Sequence, residues 1–440
     1  MIYTSLMPHQ IKALNYAIRH NPCGLFMSLG SGKSLVALAV ADHIKAKRIL
    51  ITSDKNNIIN TWADQITRHT DYTYEIRPTN PQQTPVRCTL INYDLLARRT
   101  KQYLNIDWDM WIGDESAEVK DQRTYKHKGT RLITKDIPFK IILNGTLMTE
   151  RLEDVYGQIL LLDNGKRLGH SMTKFRNRYM MEDPRGFGWV PKRSAFSYVQ
   201  RDIKSISYFI PEEDKASLKM PSRNYHTVEV EMTPEQSRID FDLRTEFSSI
   251  LEGKEIETNQ ATVVYLKRIQ LTGGVFRPSK LDEEAVYVPT NKLDVTRRII
   301  MENPEDKVLV WHTYIPETAR LTDLMKVLDV PYVVVDSPKC QDVLEKFRSD
   351  PRLRVALVRT SLCKGLNQLV GARIGIFYSN PLSYSRRAQA EGRTCRITSE
   401  AEDTHYFDIV CAGGADKYVH QMLTQKKSLS LCLTNLRNMV

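Results

Sequence analysis

The segment FMSLGSGKSLVALAV (residues 26–40) joins an apolar run to a glycine-containing turn and then to a run typical of a helix. Gly30 and Gly32 lie in the turn, and Lys33 and Ser34 follow at the start of the helical run. Backbone N–H groups of such a turn, together with a helix N-terminus, surround a phosphate group. Lysine then reaches the outer phosphates, and a hydroxyl holds Mg²⁺. The segment therefore predicts a strand, a phosphate-binding loop and a helix.

Met27 stands where the usual form of this loop has its first glycine. The position lies at the entrance of the loop, where a strand residue substitutes for glycine if the backbone keeps a negative φ. The alternative interpretation is a glycine-rich turn with an incidental lysine. We expect nucleotide contacts from five loop residues: Gly30, Ser31, Gly32, Lys33 and Ser34.

A pair of acidic residues follows a second apolar run, in WIGDES (residues 111–116). In a nucleotide site one carboxylate, here Asp114, holds Mg²⁺, and the next, Glu115, orients or deprotonates the attacking water. The alternative is a helix start with an acidic first turn. The phosphate loop upstream favours the nucleotide site.

An array of polar and basic residues, QAEGRTCR (residues 389–396), contains Gln389, Arg393 and Arg396. An arginine beside the cleaved phosphate stabilises the transition state and raises the rate by about 10³ to 10⁵. The two arginines lie on one face if the segment is helical. The alternative is a basic, solvated helix face. The position after a second α/β region favours a site completed by two lobes.

Two groups of short β-branched runs, in residues 48–145 and 307–379, predict an α/β fold with two sheets. Each run ends in small or polar residues, which is typical of buried parallel strands at a ligand-binding edge. We place the lobes at residues 1–150 and 291–440. The intervening chain is assigned to a helical and hairpin insertion of the first lobe (151–219) and to an inter-lobe passage with a helical insertion (220–290).

The composition is that of a globular protein, with 41% hydrophobic and 26% charged residues. No apolar run approaches the roughly 20 residues of a membrane span, and the N-terminus lacks the pattern of a secretory signal. We therefore expect a cytoplasmic protein without a membrane partner. The seven cysteines are scattered, which argues against a disulfide framework or a zinc knuckle. The net charge of +11 favours a polyanionic partner and leaves nucleic acid, anionic lipid and simple solubility open.

The motifs together resemble those of superfamily 2 helicases and translocases, and within them the Swi/Snf-like branch, which moves on duplex DNA. Nine segments match in order: LMPHQ (Q motif), LGSGKS (I), LITSDKNNIINTW (Ia), TLINYDLL (Ic), DESA (II), NGTLMTE (III), VLVWHTY (IV), RTSLCKGLNQL (V) and QAEGRTCR (VI). The branch is indicated by Trp62, Lys120, EMTPEQ and SNPLSYSRRAQAEGR. DESA replaces DEAH, motif III lacks its common proline and SNP replaces WNP, which leaves the subfamily open. The compact format is similar to stand-alone phage or bacterial enzymes.

This resemblance implies two tandem RecA-like lobes, each a mainly parallel sheet flanked by helices, with helical insertions between them. It implies that ATP binds between the lobes with Mg²⁺, which Ser34 and Asp114 hold. The catalytic residues that it implies are Glu115, Gln389, Arg393 and Arg396. The other implied roles are adenine recognition by Gln10, an ATP contact by Gly365, and coupling of hydrolysis to movement by Thr146 and Asn367.

Enzymes of this type hold one DNA strand at the other edge of the two sheets. Small hydroxyls and backbone N–H groups bind phosphates without reading bases, so we expect binding without sequence preference. The expected phosphate contacts are Ser53, Tyr93, Thr313, Thr360 and Ser361. For any one of the serines or threonines, helix capping or turn formation is an equally good explanation.

A segment that interleaves basic and aromatic residues (173–204) is a candidate for substrate recognition. Our hypothesis is that Phe187 or Trp189, at the tip of a hairpin, stacks on bases at a junction, and that Lys192 and Arg193 bind phosphates. The alternative is that the aromatic rings pack on their own lobe.

The resemblance thus implies a monomeric, ATP-dependent DNA translocase or helicase that acts on duplex, forked or branched DNA. Such an enzyme remodels forks or migrates junctions in replication, recombination or repair, here in the cytoplasm or nucleoid of a bacterial host cell. The alternatives are an RNA helicase and a non-motor P-loop protein. The absence of a DEAD box counts against the first, and the second sheet with its arginine array counts against the second.

Overall fold

The protein is described here by a computed structural model. It describes residues 1–54, 56–83, 85–145, 147, 151–183, 188–218, 220–252, 258–276, 285–337, 340–363, 366, 369, 371–395 and 401–426. The chain forms two compact units, Met1–Lys219 (unit 1) and Met220–Val440 (unit 2). No helix in the described ranges is long and apolar enough to cross a membrane.

Unit 1 alternates strands and helices. Its strands are β1 (Cys23–Phe26), β2 (Ile49–Ser53), β3 (Tyr74–Ile76), β4 (Cys88–Asn92), β5 (Met110–Gly113), β6 (Phe139–Asn144), β7 (Met180–Glu182), β8 (Trp189–Pro191) and β9 (Ser207–Phe209). Its helices are α1 (Pro8–Arg19), α2 (Lys33–His43), α3 (Asn56–His69), α4 (Tyr93–Arg98), α5 (Thr100–Leu104), α6 (Tyr125–Thr134), α7 (Glu153–Asp163), α8 (Met172–Tyr179), α9 (Ala195–Ile203) and α10 (Glu212–Ser217).

The large sheet of unit 1 has the order β3-β4-β2-β5-β6-β1-β9, and all of its neighbouring strands run parallel. The carboxyl ends of parallel strands meet at one edge of a sheet, where ligands of open α/β sheets bind. At this carboxyl edge lie the phosphate loop after β1, Ser53 at the end of β2 and Asp114 directly after β5. The fold thus gathers three of the sequence motifs at one edge.

Unit 2 repeats this plan. Its strands are β10 (Ser222–Val230), β11 (Val275–Phe276), β12 (Val286–Tyr287), β13 (Val308–His312), β14 (Tyr332–Val335), β15 (Val355–Arg359), β16 (Ile374–Phe377) and β17 (Asp403–Cys411). Its helices are α11 (Pro234–Glu252), α12 (Thr258–Thr272), α13 (Lys292–Glu302), α14 (Ile315–Val327), α15 (Gln341–Ser349), α16 (Tyr384–Glu391) and α17 (Ala415–Thr424). The six-stranded sheet β10-β17-β16-β13-β15-β14 is entirely parallel. Two parallel sheets flanked by helices confirm the predicted fold class.

Successive residues of a strand point to opposite faces of its sheet. In the central strands the residues on both faces are buried, as the following two strands show. In β2, Ile49 and Ile51 belong to one core cluster and Leu50 to another. In β13, Val308 and Val310 likewise lie in a different cluster from their neighbours Leu309 and Trp311. A strand covered on both sides has no polar face, which explains the continuous apolar runs in the sequence.

All eight β-branched runs that predicted strands form strands of the two sheets, and their ends lie within two residues of the predicted ones. The other strands of the two sheets are β1, β3, β9, β10 and β17, of which two come from the chain between the predicted lobes. β9, from the insertion after residue 150, pairs with β1 at one edge of the unit 1 sheet. β10, from the predicted inter-lobe passage, pairs along all nine residues with β17 and forms an edge of the unit 2 sheet. The passage is therefore a structural part of unit 2.

Helix α7 packs closely against the segment that follows the acidic pair. A Cβ atom at Gly157 would lie 1.8 Å from the backbone oxygen of Lys120. Two side-chain contacts reinforce this approach, since Lys120 Nζ donates to Asp154 at 3.1 Å and Ser116 Oγ to Gln158 at 2.7 Å. Glycine at position 157 therefore permits α7 to support the acidic segment.

The variant Gly157→Ala should lower the free energy of unfolding by about 1–3 kcal/mol, because its methyl group overlaps backbone atoms that have no room to move. This cost exceeds the gain in helix propensity, which is about 1 kcal/mol. Gly371→Ala is the matched control, since its Cβ would meet no atom within 4 Å. Urea unfolding followed by circular dichroism compares the two variants, and equal stabilities would contradict the packing described here.

Candidate nucleotide site

The phosphate loop is a tight turn that only glycine accommodates without strain at two positions. Gly30 and Gly32 both have φ of 80°, in the left-handed region. A Cβ atom at Gly32 would also lie 2.1 Å from the amide nitrogen of Gln10. Helix α2 begins at the next residue, Lys33, so its free N–H groups face the loop. The strand, turn and helix predicted for this segment are confirmed.

Met27 at the loop entrance is fully buried in a core cluster of unit 1. Met27 does not have a positive φ, which is the condition under which a strand residue can stand here in place of glycine. The Lys33 ammonium donates to the Met27 carbonyl at 2.9 Å and to the Ser28 carbonyl at 3.0 Å. Lysine thus lies across the turn that is predicted to hold the phosphates.

Gln10, which was predicted to contact adenine, lies directly behind the loop. Its side-chain amide donates to the Ser31 carbonyl at 3.2 Å, and its side-chain oxygen accepts from the Met7 N–H at 2.9 Å. His9 contacts the same Ser31 oxygen at 3.0 Å through Nε2. Both side chains are buried, so in this structure the start of α1 braces the phosphate loop.

Asp114 lies at the carboxyl edge with both carboxylate oxygens engaged. Oδ2 accepts from the Trp62 indole N–H at 2.9 Å and from the Ser53 hydroxyl at 3.4 Å, and Oδ1 accepts from the Glu115 N–H at 2.9 Å. Burial raises the pKa of this carboxyl, while the Trp62 hydrogen bond and the positive charge of Lys33 oppose the increase. The acidic group therefore has a defined orientation next to the phosphate loop.

Glu115 adopts a left-handed conformation, with φ of 49° and ψ of 48°. This region costs a non-glycine residue of order 1–3 kcal/mol and is enriched at functional sites. A short 3₁₀ helix, Ser116–Val119, follows immediately. The acidic pair therefore lies at a sharp turn between strand and helix, where a side chain can project from the sheet edge. The acidic pair therefore lies before the helical turn and not within it, unlike in the alternative of an acidic first turn of a helix.

The oxygen ligands at this edge fit Mg²⁺. The ion is usually bound by one or two carboxylates together with substrate phosphates and water, and it prefers hard oxygen ligands. Asp114 Oδ1 accepts a hydrogen bond from the Glu115 N–H and has a second lone pair for a metal ion. Ser34 lies in the first turn of α2 beside Lys33. In the described part of the chain, no group of three or more His, Cys, Asp or Glu side chains could hold a metal ion.

Two residues predicted to contact DNA phosphates turn inward in this structure. The Tyr93 side chain is 1% exposed, and its hydroxyl donates to the Asp114 carbonyl at 2.9 Å. Ser53 is fully buried and directs its hydroxyl to the Asp114 carboxylate. Neither hydroxyl is presented to a DNA strand here, because both satisfy polar groups of the acidic segment. The prediction did not anticipate this burial.

In unit 2, two of the predicted phosphate-binding residues lie together. The hydroxyls of Thr313, after β13, and Thr360, after β15, are 3.2 Å apart. The Thr313 N–H also donates to the Ser379 hydroxyl at 2.8 Å. Ser361, the next residue, is half-buried in a 3₁₀ helix, Thr360–Leu362. Backbone and hydroxyl groups thus gather at the carboxyl edge of this sheet, and their role in binding DNA stays a prediction.

The arginine array is helical only in its first part. Helix α16 ends at Glu391, and Arg393 lies in the turn that follows, so Arg393 itself is not part of a helix face. Gln389 on α16 is buried, and its side-chain oxygen lies 3.7 Å from the Cys363 sulfur. Arg393 is only 6% exposed. Gly392 is the C-cap residue of α16, and its N–H donates to the Ala388 carbonyl.

A buried ion-pair network that the sequence analysis missed anchors α16. Arg387 donates to both oxygens of Asp408 on β17 and, at 2.7 Å, to Glu391 one turn further along α16. Its guanidinium also lies over the Phe377 ring, 3.5 Å from the ring centre. Although burial opposes it, the Arg387 charge holds the pKa of Asp408 well below its usual range. The sequence shows Arg387 as the second arginine of SYSRRAQ. It does not show the ion pair, because the partner Asp408 lies on a different element further along the chain.

The segment proposed for substrate recognition forms a hairpin, since β7 and β8 pair antiparallel. Trp189 in β8 is half-buried against a core cluster of unit 1, and Arg176 lies 5.5 Å from its ring centre. The Lys192 ammonium donates to the carbonyls of Asn177 and Arg178. Trp189 therefore packs on its own unit, as in the alternative interpretation. Arg193 is exposed.

Five residues with predicted roles lie outside the described residues. They are Thr146, Phe187, Gly365, Asn367 and Arg396. Their roles in coupling, DNA contact, ATP binding and catalysis stay predictions.

The Arg387 network predicts a strong coupling in stability. Arg387→Met should destabilise the protein by about 3–5 kcal/mol, because it leaves buried carboxylates without a charged partner. In the double variant Arg387→Met, Asp408→Leu much of this loss should be recovered, since no isolated charge of the pair remains. Lys326→Met is the control: its partner Asp323 is exposed, and exposed pairs contribute about 0–1 kcal/mol. Additive single effects in urea unfolding would contradict the coupling.

Comparison with curated proteins finds relatives along most of the chain. The SWI/SNF-related matrix-associated actin-dependent regulator of chromatin subfamily A-like protein 1 of Drosophila melanogaster is 22% identical over 441 residues, which cover 96% of this chain and 55% of that protein. The protein of the same name in Xenopus tropicalis is 21% identical, over 96% of this chain and 44% of its own length. The chain thus spans about half the length of these relatives. Putative protein p41 of Acyrthosiphon pisum secondary endosymbiont phage 1 is 21% identical, over 71% of this chain and 73% of p41.

Among solved structures, the Sulfolobus solfataricus SWI2/SNF2 ATPase core in complex with dsDNA is similar over 96% of this chain and 92% of that one, at 18% identity and a TM-score of 0.48. The family model of the SNF2-related domain matches residues 9–269, which is more than half of the chain. This chain therefore belongs to the SNF2-related domain family, in agreement with its resemblance to the Swi/Snf-like branch of helicase superfamily 2.

Proposed function

We propose that this protein hydrolyses ATP and is a motor that translocates on duplex DNA and acts at forks or branched junctions in the cytoplasm of a bacterial host. The observation that carries the proposal is the carboxyl edge of the unit 1 sheet, where Lys33, Asp114 and Glu115 lie together after β1 and β5. The choice of DNA is supported by the family, whose animal relatives are named regulators of chromatin, and by the net charge of +11.

The phosphate loop provides the binding part of the mechanism. Its left-handed glycines direct backbone N–H groups toward the phosphates, and α2 adds the positive end of its dipole. Lys33 exchanges its contacts with the carbonyls of Met27 and Ser28 for the outer phosphates, which carry full negative charge. In ATP binding, the contacts of Lys33 with charged phosphates thus replace its weaker contacts with the two loop carbonyls.

The acidic pair provides the hydrolytic part. Asp114 is held in place by hydrogen bonds to both of its oxygens, and it presents a remaining lone pair to the metal. Asp114 and Ser34 would hold Mg²⁺, which would supply positive charge to balance that of the phosphates. Glu115, projected by its left-handed backbone, orients the attacking water and accepts its proton. Hydrolysis then removes the outer phosphate and with it the contact of Lys33.

The family resemblance assigns a further catalytic role to the arginine array of unit 2. Arg393 is our candidate for the cation that stabilises the transition state, with Gln389 beside it on α16. In the mechanism that the family resemblance implies, ATP binding favours one of two conformations and hydrolysis releases it. The hydroxyls of Thr313 and Thr360 are candidates for phosphate contacts to one DNA strand. Repeated closure and opening along that strand would produce translocation.

The variant Glu115→Gln should lower kcat for ATP hydrolysis by about 10²- to 10⁴-fold, because a neutral amide cannot accept the proton of water. Its affinity for ATP should stay near that of the wild type, since the phosphate loop is untouched. Glu118→Gln, in the 3₁₀ helix that follows, is the matched control and should leave kcat unchanged. Steady-state hydrolysis and binding of a fluorescent ATP analogue provide the two measurements. A Glu115→Gln enzyme with wild-type kcat would assign the base elsewhere.

Stimulation of hydrolysis by nucleic acids tests the partner. The rate of ATP hydrolysis should rise about tenfold or more with blunt duplex DNA or a four-way junction. It should rise less with single-stranded DNA or RNA. Glu115→Gln gives the background rate. Displacement of a triplex-forming strand from duplex DNA then measures translocation directly.

Each outcome of this experiment decides between substrates. Stimulation by duplex with triplex displacement supports a DNA translocase, and a larger effect of the junction supports action at branches. Stimulation by RNA alone would replace the proposal with an RNA helicase. Hydrolysis that no nucleic acid changes would remove the motor function and leave an ATPase of another kind.

A further inference from the structure

Trp62 on α3 satisfies its buried indole N–H with the carboxylate of the acidic pair. The side chain is 1% exposed and lies in the same core cluster as Met27 and Ile112, which come from the strands on either side of the nucleotide site. Its indole N–H, the single donor of the side chain, is directed at Asp114 Oδ2 at 2.9 Å. A ring fixed by packing on this scale holds its donor in a constant position.

The two oxygens of Asp114 are thereby distinguished. Oδ2 is held by the indole, with the Ser53 hydroxyl further away at 3.4 Å. Oδ1 accepts from the Glu115 N–H of the adjacent residue. Without the indole, the carboxylate could rotate about its last bond, because terminal carboxylate torsions are broad. With it, the open lone pair of Oδ1 keeps one direction.

We propose that Trp62 is a positioning residue that orients Asp114 for the metal ion bound with ATP. The inference rests on the proposed role of Asp114 as the Mg²⁺ ligand. Partners that orient a metal-binding carboxylate typically change metal affinity or activity by about 10- to 100-fold when they are replaced. An indole suits this position because it donates at every pH and cannot itself bind the ion. It also connects α3, which contains the last part of motif Ia, to the acidic box.

A second buried tryptophan of the same sheet provides a matched control. Trp111 in β5 is fully buried, and its indole N–H donates to the Thr52 hydroxyl at 2.9 Å. Trp111→Phe and Trp62→Phe therefore each remove a buried indole hydrogen bond of 2.9 Å. The acceptor that loses its donor is the Thr52 hydroxyl in the first variant and the Asp114 carboxylate in the second. A merely structural role for Trp62 predicts equal effects of the two variants on the site.

The experiment measures how Mg²⁺ changes nucleotide binding and hydrolysis in both variants. Each protein is titrated with a fluorescent ATP analogue, first in the presence of EDTA and then at increasing concentrations of Mg²⁺. Trp62→Phe should bind the analogue as the wild type does in EDTA, and its half-saturating Mg²⁺ concentration should rise about 10- to 100-fold. Excess Mg²⁺ should restore most of its kcat, whereas Trp111→Phe should keep the wild-type Mg²⁺ dependence. The same Mg²⁺ dependence in Trp62→Phe and wild type, or equal shifts in both variants, would overturn the proposal.

Two further variants keep the result interpretable. If Trp62→Phe does not fold, Trp62→benzothienylalanine, which replaces the N–H by sulfur and preserves the ring shape, takes its place with the same expected shift. Asp114→Asn separates the two levels of the argument. If Asp114→Asn leaves the Mg²⁺ dependence unchanged, the proposed role of Asp114 fails. If it shifts the dependence while both Trp62 variants do not, the role of Asp114 stands and that of Trp62 is overturned.

Discussion

The parallel register of four strands is the constraint on which the nucleotide site depends. Thr52 of β2 pairs with Gly113 of β5, which pairs with Ile142 of β6, and Ile142 pairs in turn with Gly24 of β1. The chain therefore leaves the sheet at the same level after β1, β2 and β5. A shift of one residue in any pair would turn the following side chain to the opposite face. The phosphate loop and the acidic pair meet only because these registers are kept.

Polar groups at this edge are used mainly to hold one another. Tyr93 bonds the Asp114 carbonyl, Trp62 and Ser53 bond its carboxylate, and Gln10 bonds the phosphate loop. Buried polar groups need partners, and the strand ends bring many of them together in a confined space. The hydroxyls that a motif comparison associates with DNA are, in this arrangement, the groups that fix the acidic segment. Orientation of the site thus arises from contacts that never touch the nucleotide.

Unit 2 solves the same problem with buried ion pairs. Arg387 and Asp408 tie α16 to β17, and Lys292 and Asp416, 2.5 Å apart, tie the start of α13 to the start of α17. Breaking such a pair leaves an uncompensated charge, which costs far more than the pair itself contributes. The helix that leads into Arg393 is therefore held against the sheet at a defined position. Packing of apolar residues alone would allow neighbouring registers of similar energy.

Local patterns in the sequence determined a large part of this protein. The apolar runs predicted eight strands, and the glycines and lysine of residues 26–40 predicted the phosphate loop, because strand burial, left-handed turns and helix starts depend on neighbouring residues. Only the tertiary structure decided that residues 222–230 pair with residues 403–411, that the Tyr93 hydroxyl turns inward, and that Arg387 meets Asp408. These contacts join residues that are distant in the chain, and their energies depend on which groups the closed fold removes from water.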